Sequence, residues 1–230
     1  MQYDPRYERN LGAITHQEQE KLKTSRVCLI GCGGLGGYLA EFLGRLGVGH
    51  ISAVDADHFE VTNLNRQIMA REDNLGTSKA ESVKERMAQV NPCVSVRAIE
   101  VTLTAANAAQ ILSGHDIVLD GLDNVPTRLV LQRVCRELGI PLIHGAVEGW
   151  FGQVATILPG DDTLSRLYPG FEETDSGTSH HPSVLSFAAG MVASIQAAEA
   201  VKVLLKRTPS LHDQMLFIDL QSNSFDILPL

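Results

Sequence analysis

Cysteine is sparse in this 230-residue chain and never paired in sequence. Cys28, Cys32, Cys93 and Cys135 are scattered, with no C-x-x-C among them, which argues against a disulfide framework and leads us to expect no zinc. Positive charge is short as well. Lys and Arg number 19 against 27 Asp and Glu, a net charge of −8, so nothing suggests general affinity for DNA, RNA or an anionic membrane. No apolar run reaches the ~18–20 residues of a membrane span. The N-terminal MQYDPRYERN lacks the basic region and apolar core of a signal peptide. Cytoplasm is the expected location. The length suits one α/β domain over residues 1–230, with an N-terminal arm at 1–25.

What the chain does have is concentrated between Arg26 and Lys79. RVCLI reads as a buried strand, GCGGLGG as a tight turn, and the residues after it as a helix, followed by a second strand ending on Asp55. Gly31, Gly33, Gly34 and Gly36 let backbone amides approach a phosphate at a helix N-terminus. Asp55 stands nineteen residues beyond Gly36, near the ~20-residue spacing of a carboxylate that holds a ribose hydroxyl. Those features alone fit a nicotinamide enzyme as well as an ATP enzyme. The run Thr62-Asn63-Leu64-Asn65-Arg66-Gln67, then Lys79, then Asp123 with Asn124, breaks the tie. Two cations and a carboxylate suited to Mg²⁺ have no use in hydride transfer, whereas a triphosphate needs them.

Taken in order, the pattern predicts a short charged helix over 16–24 and strands at Val27–Ile30 and Ile51–Val54. It predicts helices from Leu35 to Leu46, from Lys79 to Val90, and from Thr104 to Leu112 with Thr104 as N-cap. Strands follow at Val94–Ile99 and Asp116–Asp120, a helix at about Pro126–Leu138, and strands from Leu142 and at Gln153–Leu158. Residues 161–182, acidic and rich in Ser, Thr, Pro and Gly, read as a flexible crossover loop. A long alanine-rich helix spans Val184 to Leu205, and two short strands, Leu216–Leu220 and Phe225–Leu228, come last. Strands alternating with helices from Val27 to Leu158 predict a Rossmann-like, doubly wound, mostly parallel sheet with a C-terminal antiparallel extension. His180-His181 reads as solvated, and Trp150 as a packing residue without chemistry.

These residues resemble the MoeB/ThiF/HesA branch of the ubiquitin-activating-enzyme-like superfamily. The resemblance runs through RYERN, GCGGLGG, DADHFEVTNLNRQ, LGTSK, LDGLDN, GQVATI and SIQAAEAVKVL. It implies adenylation, with ATP and Mg²⁺, of the C-terminal glycine of a ubiquitin-like sulfur-carrier protein. It also implies that Gly34 and Asp55 hold the nucleotide, that Asn63, Arg66 and Lys79 face the phosphates, and that Asp123 organises Mg²⁺. Arg9 of Arg6-Tyr7-Glu8-Arg9 would reach a partner subunit's site, making the protein a homodimer. Two features depart from the family. Its C-x-x-C zinc pairs are missing, with Ser165-Arg166-Leu167-Tyr168 lying where one belongs, and the thiol of some ThiF-like members is replaced by Ser179. No sulfurtransferase domain is appended, so the chain is expected to stop at the acyl-adenylate. Within the same superfamily the tRNA-modifying dehydratases are the alternative; an NAD-dependent oxidoreductase or nucleotide-sensing module is the alternative from another class.

Overall fold

The computed structural model describes residues 4–175, 183–209 and 211–230. A 3₁₀ turn, Pro5–Asn10, leads to α1 (His16–Thr24), whose capping box joins Thr15 and Glu18. The first βαβ unit is β1 (Arg26–Ile30), α2 (Gly34–Leu46) and β2 (His50–Val54); Gly47 closes α2 in the left-handed region at φ 89°. Next come α3 (Lys79–Val90, N-capped by Ser78), β3 (Ser95–Ile99), α4 (Ala108–Leu112), β4 (Ile117–Asp120) and α5 (Val125–Leu138, N-capped by Asn124). The chain continues through β5 (Leu142–Glu148), β6 (Phe151–Ile157), α6 (Thr163–Leu167), α7 (Ser186–Leu204), β7 (Gln214–Asp219) and β8 (Ser224–Pro229).

The eight strands form one sheet in the order β3-β2-β1-β4-β5-β6-β7-β8, parallel through β5 and antiparallel beyond it. One face packs Val27, Leu29, Ile51 and Ala53 against apolar residues of α2, α3 and α7. The other buries Cys28, Ile30, Val54 and Val118 under α4 and α5. Strand order reverses between β1 and β4, which opens a crevice at the carboxyl ends of those strands.

Four expectations are corrected. The helix expected from Thr104 begins at Ala108: residues 105–107 form a turn first, in which the Thr104 carbonyl accepts the Asn107 and Ala108 amides at 3.2 and 3.0 Å and Asn107 Oδ1 accepts the Thr104 amide at 2.8 Å. The alternation expected to run through Leu158 ends at β5. A two-residue connection, Gly149-Trp150 with Gly149 at φ 57°, makes β5 and β6 an antiparallel hairpin. The crossover loop is structured where it begins: α6 lies inside it and buries Thr163 and Leu164. Finally, α7 is 19 residues long with a mean hydropathy of 1.4, which is long and apolar enough to cross a membrane by length and composition. Half of that stretch is buried here, against α2, β5 and β6, in the manner of a core helix. Ser179 and His180-His181 lie outside the described residues.

Candidate active site

A cavity of about 710 Å³ opens at the carboxyl edge of the parallel strands. Its floor is the switch point. Gly31, at φ 88°, passes so close to the loop after β4 that a Cβ there would sit 2.6 Å from the Gly121 carbonyl oxygen. Gly36, by contrast, is a packing glycine, since a Cβ on it would lie 1.9 Å from the Gly31 oxygen; it does not line the cavity. Gly31, Gly33 and Gly34 do.

Asp55 closes β2 on the cavity wall. Its Oδ2 accepts the Cys32 amide at 2.7 Å and its Oδ1 the Asp57 amide at 2.8 Å. Burial pushes its carboxyl above the usual value, while those two amides pull it back. Lys79, first residue of α3 and buried, lines the same wall; its Nζ lies 2.9 Å from Asp57 Oδ2 and its amide donates to the Asp57 carbonyl. Arg66 has no carboxylate partner among the described residues, its Nη1 donating to Thr62 O and Asn65 Oδ1, both at 2.9 Å. Gln67 completes this side, its buried Oε1 without a hydrogen-bond partner among the described residues. Asp123 and Asn124 face them from the loop after β4.

The structure therefore brings Gly31, Gly33, Gly34, Asp55, Arg66, Gln67, Lys79, Asp123 and Asn124 to one cavity. Thr62, Asn63, Leu64 and Asn65 do not line it. Asn63 is buried and spends its Oδ1 on the Glu60 amide, so its side chain braces the 3₁₀ turn that presents Arg66. Asn65 ties that turn to the Val184 carbonyl. Arg9 is exposed in the N-terminal 3₁₀ turn, away from its own cavity.

Sequence reading missed a second group behind Asp123. Asp120, fully buried, accepts the Leu122 amide on Oδ1 and sits against His144 Nδ1 (2.7 Å) and Arg128 Nε (3.2 Å) through Oδ2. With Nδ1–H donating, His144 Nε2 is an acceptor, and Gln153 Nε2 meets it at 3.0 Å. Gln153 also donates to Tyr168 Oη at 2.7 Å, and Arg128 donates to the Leu122 carbonyl at 2.6 Å. Burial lowers the His144 imidazole below its ordinary value, with Asp120 opposing it. Arg128, Gln153 and Tyr168 line the cavity, as do Phe151, Phe171 and Phe217. Five positions from five segments of chain build this corner, so no local spacing announces it. The one clue was the run of charge and amide types around LDGLDN and GQV.

Over residues 7–230 the sequence matches the ThiF family. The chain belongs to the ThiF family. Among ThiF-related proteins, it is 38% identical over 229 residues to the SAMP-activating enzyme E1 of Haloferax volcanii, covering 97% of this chain and 84% of that protein. Identity to the molybdopterin-synthase adenylyltransferase of Haemophilus influenzae is 36%, covering 93% of this chain and 89% of that one. The chain spans about half (51%) of the adenylyltransferase and sulfurtransferase MOCS3 of Caenorhabditis briggsae, at 35% identity over 87% of its own length. In fold it resembles E. coli MccB, with a TM-score of 0.87 at 22% identity over 98% of this chain and 69% of MccB.

Proposed function

We propose that this ThiF-family chain is an adenylyltransferase that uses ATP to activate the C-terminal carboxylate of a ubiquitin-like sulfur-carrier protein, releasing pyrophosphate. The observation that carries this reading is the cavity's division. Along the sheet, the glycine turn, Asp55, Arg66, Lys79 and Asp123 come from the β2-β1-β4 side of this one cavity, and Phe151 and Phe217 come from β6 and β7 on the other side. A triphosphate fits the first side and an extended glycine tail the second.

The chemistry asks little of a base. A C-terminal carboxyl has a pKa near ~3.5 and is ionised at neutral pH, so it can attack the α-phosphorus directly. The protein must align two anions and offset charge accumulating on phosphate oxygens, which falls to Arg66 and Lys79. Lys79 would exchange or share its Asp57 partner to do so. Asp123, with no ion-pair partner among the described residues, offers the hard oxygen ligand that Mg²⁺ takes beside a nucleotide. When bound there, Mg²⁺ neutralises phosphate charge. Gln67 Oε1 supplies an acceptor awaiting a donor. Homodimerisation would bring Arg9 to the partner's phosphates, and the cytoplasm is the compartment this reading assigns.

Mass spectrometry of candidate carriers incubated with ATP and the protein tests the assignment. An adenylate adduct on the carrier's terminal glycine is expected. Pyrophosphate release without any carrier adduct, across carriers with intact glycine tails, would overturn it.

A further inference from the structure

The parallel strands have a second edge, at their amino ends, away from the cavity. There β1, β2 and β3 run in register: Arg26 pairs with His50 and His50 with Ser95. Two residues on, Cys28 pairs with Ser52 and Ser52 with Arg97. Register partners in a parallel sheet point the same way, and residues i and i+2 share a face. Cys28 belongs to the core beneath α4 and α5, which fixes the face. Burial pushes the Cys28 thiol up and the Arg97 charge pulls it back, in keeping with a guanidinium on that side.

α4 is only five residues long and leaves this corner uncovered. A pocket of about 280 Å³ results, lined by Arg26, Arg97, His50, His115 and three serines, with no acidic side chain in its lining. His115 is held in place, its Nδ1 2.9 Å from the Leu112 carbonyl and its Nε2 2.8 Å from Ser52 Oγ. The neighbouring Asp116 is turned to the Arg26 amide, which its Oδ2 accepts at 2.7 Å.

Charge pairing elsewhere makes this corner unusual. Eight of the arginines sit against carboxylates: Arg6, Arg45, Arg71 and Arg86, then Arg128, Arg133, Arg136 and Arg207. Among the described residues Arg26 and Arg97 have no such partner; Arg9, Arg66 and Arg166 have none either, but Arg26 and Arg97 stand together at one pocket, in a protein of net charge −8. The other cavity with an unpaired arginine is the one we assign to a triphosphate, through Arg66.

We propose that this amino-edge pocket binds a small phosphate-bearing anion at a site separate from the nucleotide cavity. Guanidinium forks match tetrahedral oxyanions, and the hydroxyls of Ser95 and Ser113 supply further donors, while His115 and Ser52 hold each other in place. The proposal does not depend on the adenylation reading.

The test is a titration of isotopically labelled protein with inorganic phosphate and, separately, glycerol phosphate, at constant ionic strength in chloride. Amide shifts at Ser52, Ser113, Gly114 and His115 report this pocket, and those at Gly33 and Gly34 report the other cavity. Saturable shifts at the first set with at least one of the two probes are expected, weakened tenfold or more in Arg26→Gln/Arg97→Gln, with the second set responding as in the wild type. His50→Gln, at an exposed position, is expected to weaken the same shifts and serves if the double variant does not fold. Shifts that fail to saturate, or that persist unchanged in the variants, would overturn the site. Arginines that matter only to thermal stability would show that they merely complement helix C-termini at this edge, and would overturn it too.

Discussion

Nδ1 of His144 lies 2.7 Å from Oδ2 of Asp120, and neither side chain is exposed to solvent. The pair stands directly behind the loop that carries Asp123, and the same Asp120 oxygen faces Arg128. Asp120 is thus the one carboxylate, among the described residues, that both His144 and Arg128 sit against. Its removal would strand a buried guanidinium, a loss expected to cost about 3–5 kcal/mol. Urea unfolding of Asp120→Ala checks this; a cost under about 1 kcal/mol would show that the corner relaxes around the gap.

His144 also makes stability depend on pH. Its folded-state pKa is depressed by burial, so between that value and the ordinary ~6.5 the unfolded chain binds a proton that the folded chain does not. Stability from this group is therefore complete above pH ~6.5 and falls as pH drops through the window below it. The melting temperature of the wild type is expected to decline more steeply below pH 6.5 than that of His144→Gln. Parallel profiles would contradict it.

Two glycine-to-alanine changes should act oppositely. In Gly36→Ala the new methyl meets the Gly31 oxygen at 1.9 Å, a backbone atom that cannot move aside, and we expect a loss of about 1–3 kcal/mol or more with a weakened nucleotide site. Gly190, inside α7, would place its methyl 3.6 Å from the Tyr38 ring, an ordinary contact. Gly190→Ala should gain about 0.5–1 kcal/mol from helix propensity. Thermal unfolding of both variants decides.

The contrast between these positions and the rest shows what sequence can carry. The glycine turn, Asp55 and Lys79 were legible because each belongs to a strand end or helix start whose local pattern fixes where it points. Asp123 followed because every parallel strand delivers its carboxyl end to one edge. Asn63, expected at the phosphates, does not line the cavity, and its Oδ1 caps its own 3₁₀ turn, a role that sequence does not distinguish from meeting a ligand. The start of α4 was placed early because Thr104 does anchor a turn, its carbonyl accepting the Asn107 and Ala108 amides, and the regular helix begins only after that turn. Asp120, His144, Arg128, Gln153 and Tyr168 were illegible since they meet only once five elements have packed.

Composite sites would make two inactive variants complement each other. In a mixed dimer of Arg9→Ala and Lys79→Ala, one site keeps its own Lys79 and receives Arg9 from the partner, while the other lacks both. Random mixing is then expected to restore about a quarter of the wild-type activity, since half the dimers are mixed and each has one good site. An inactive mixture, with subunit exchange confirmed, would place Arg9 outside the partner's site.

Carrier-dependent ATP–pyrophosphate exchange tests the central claim most directly. Wild-type protein should catalyse exchange only with a carrier bearing an intact C-terminal glycine. Lys79→Ala and Asp123→Ala, folded as judged by circular dichroism, should lose about 10²-fold or more. Undiminished exchange by either variant would contradict the claim that these side chains manage the triphosphate.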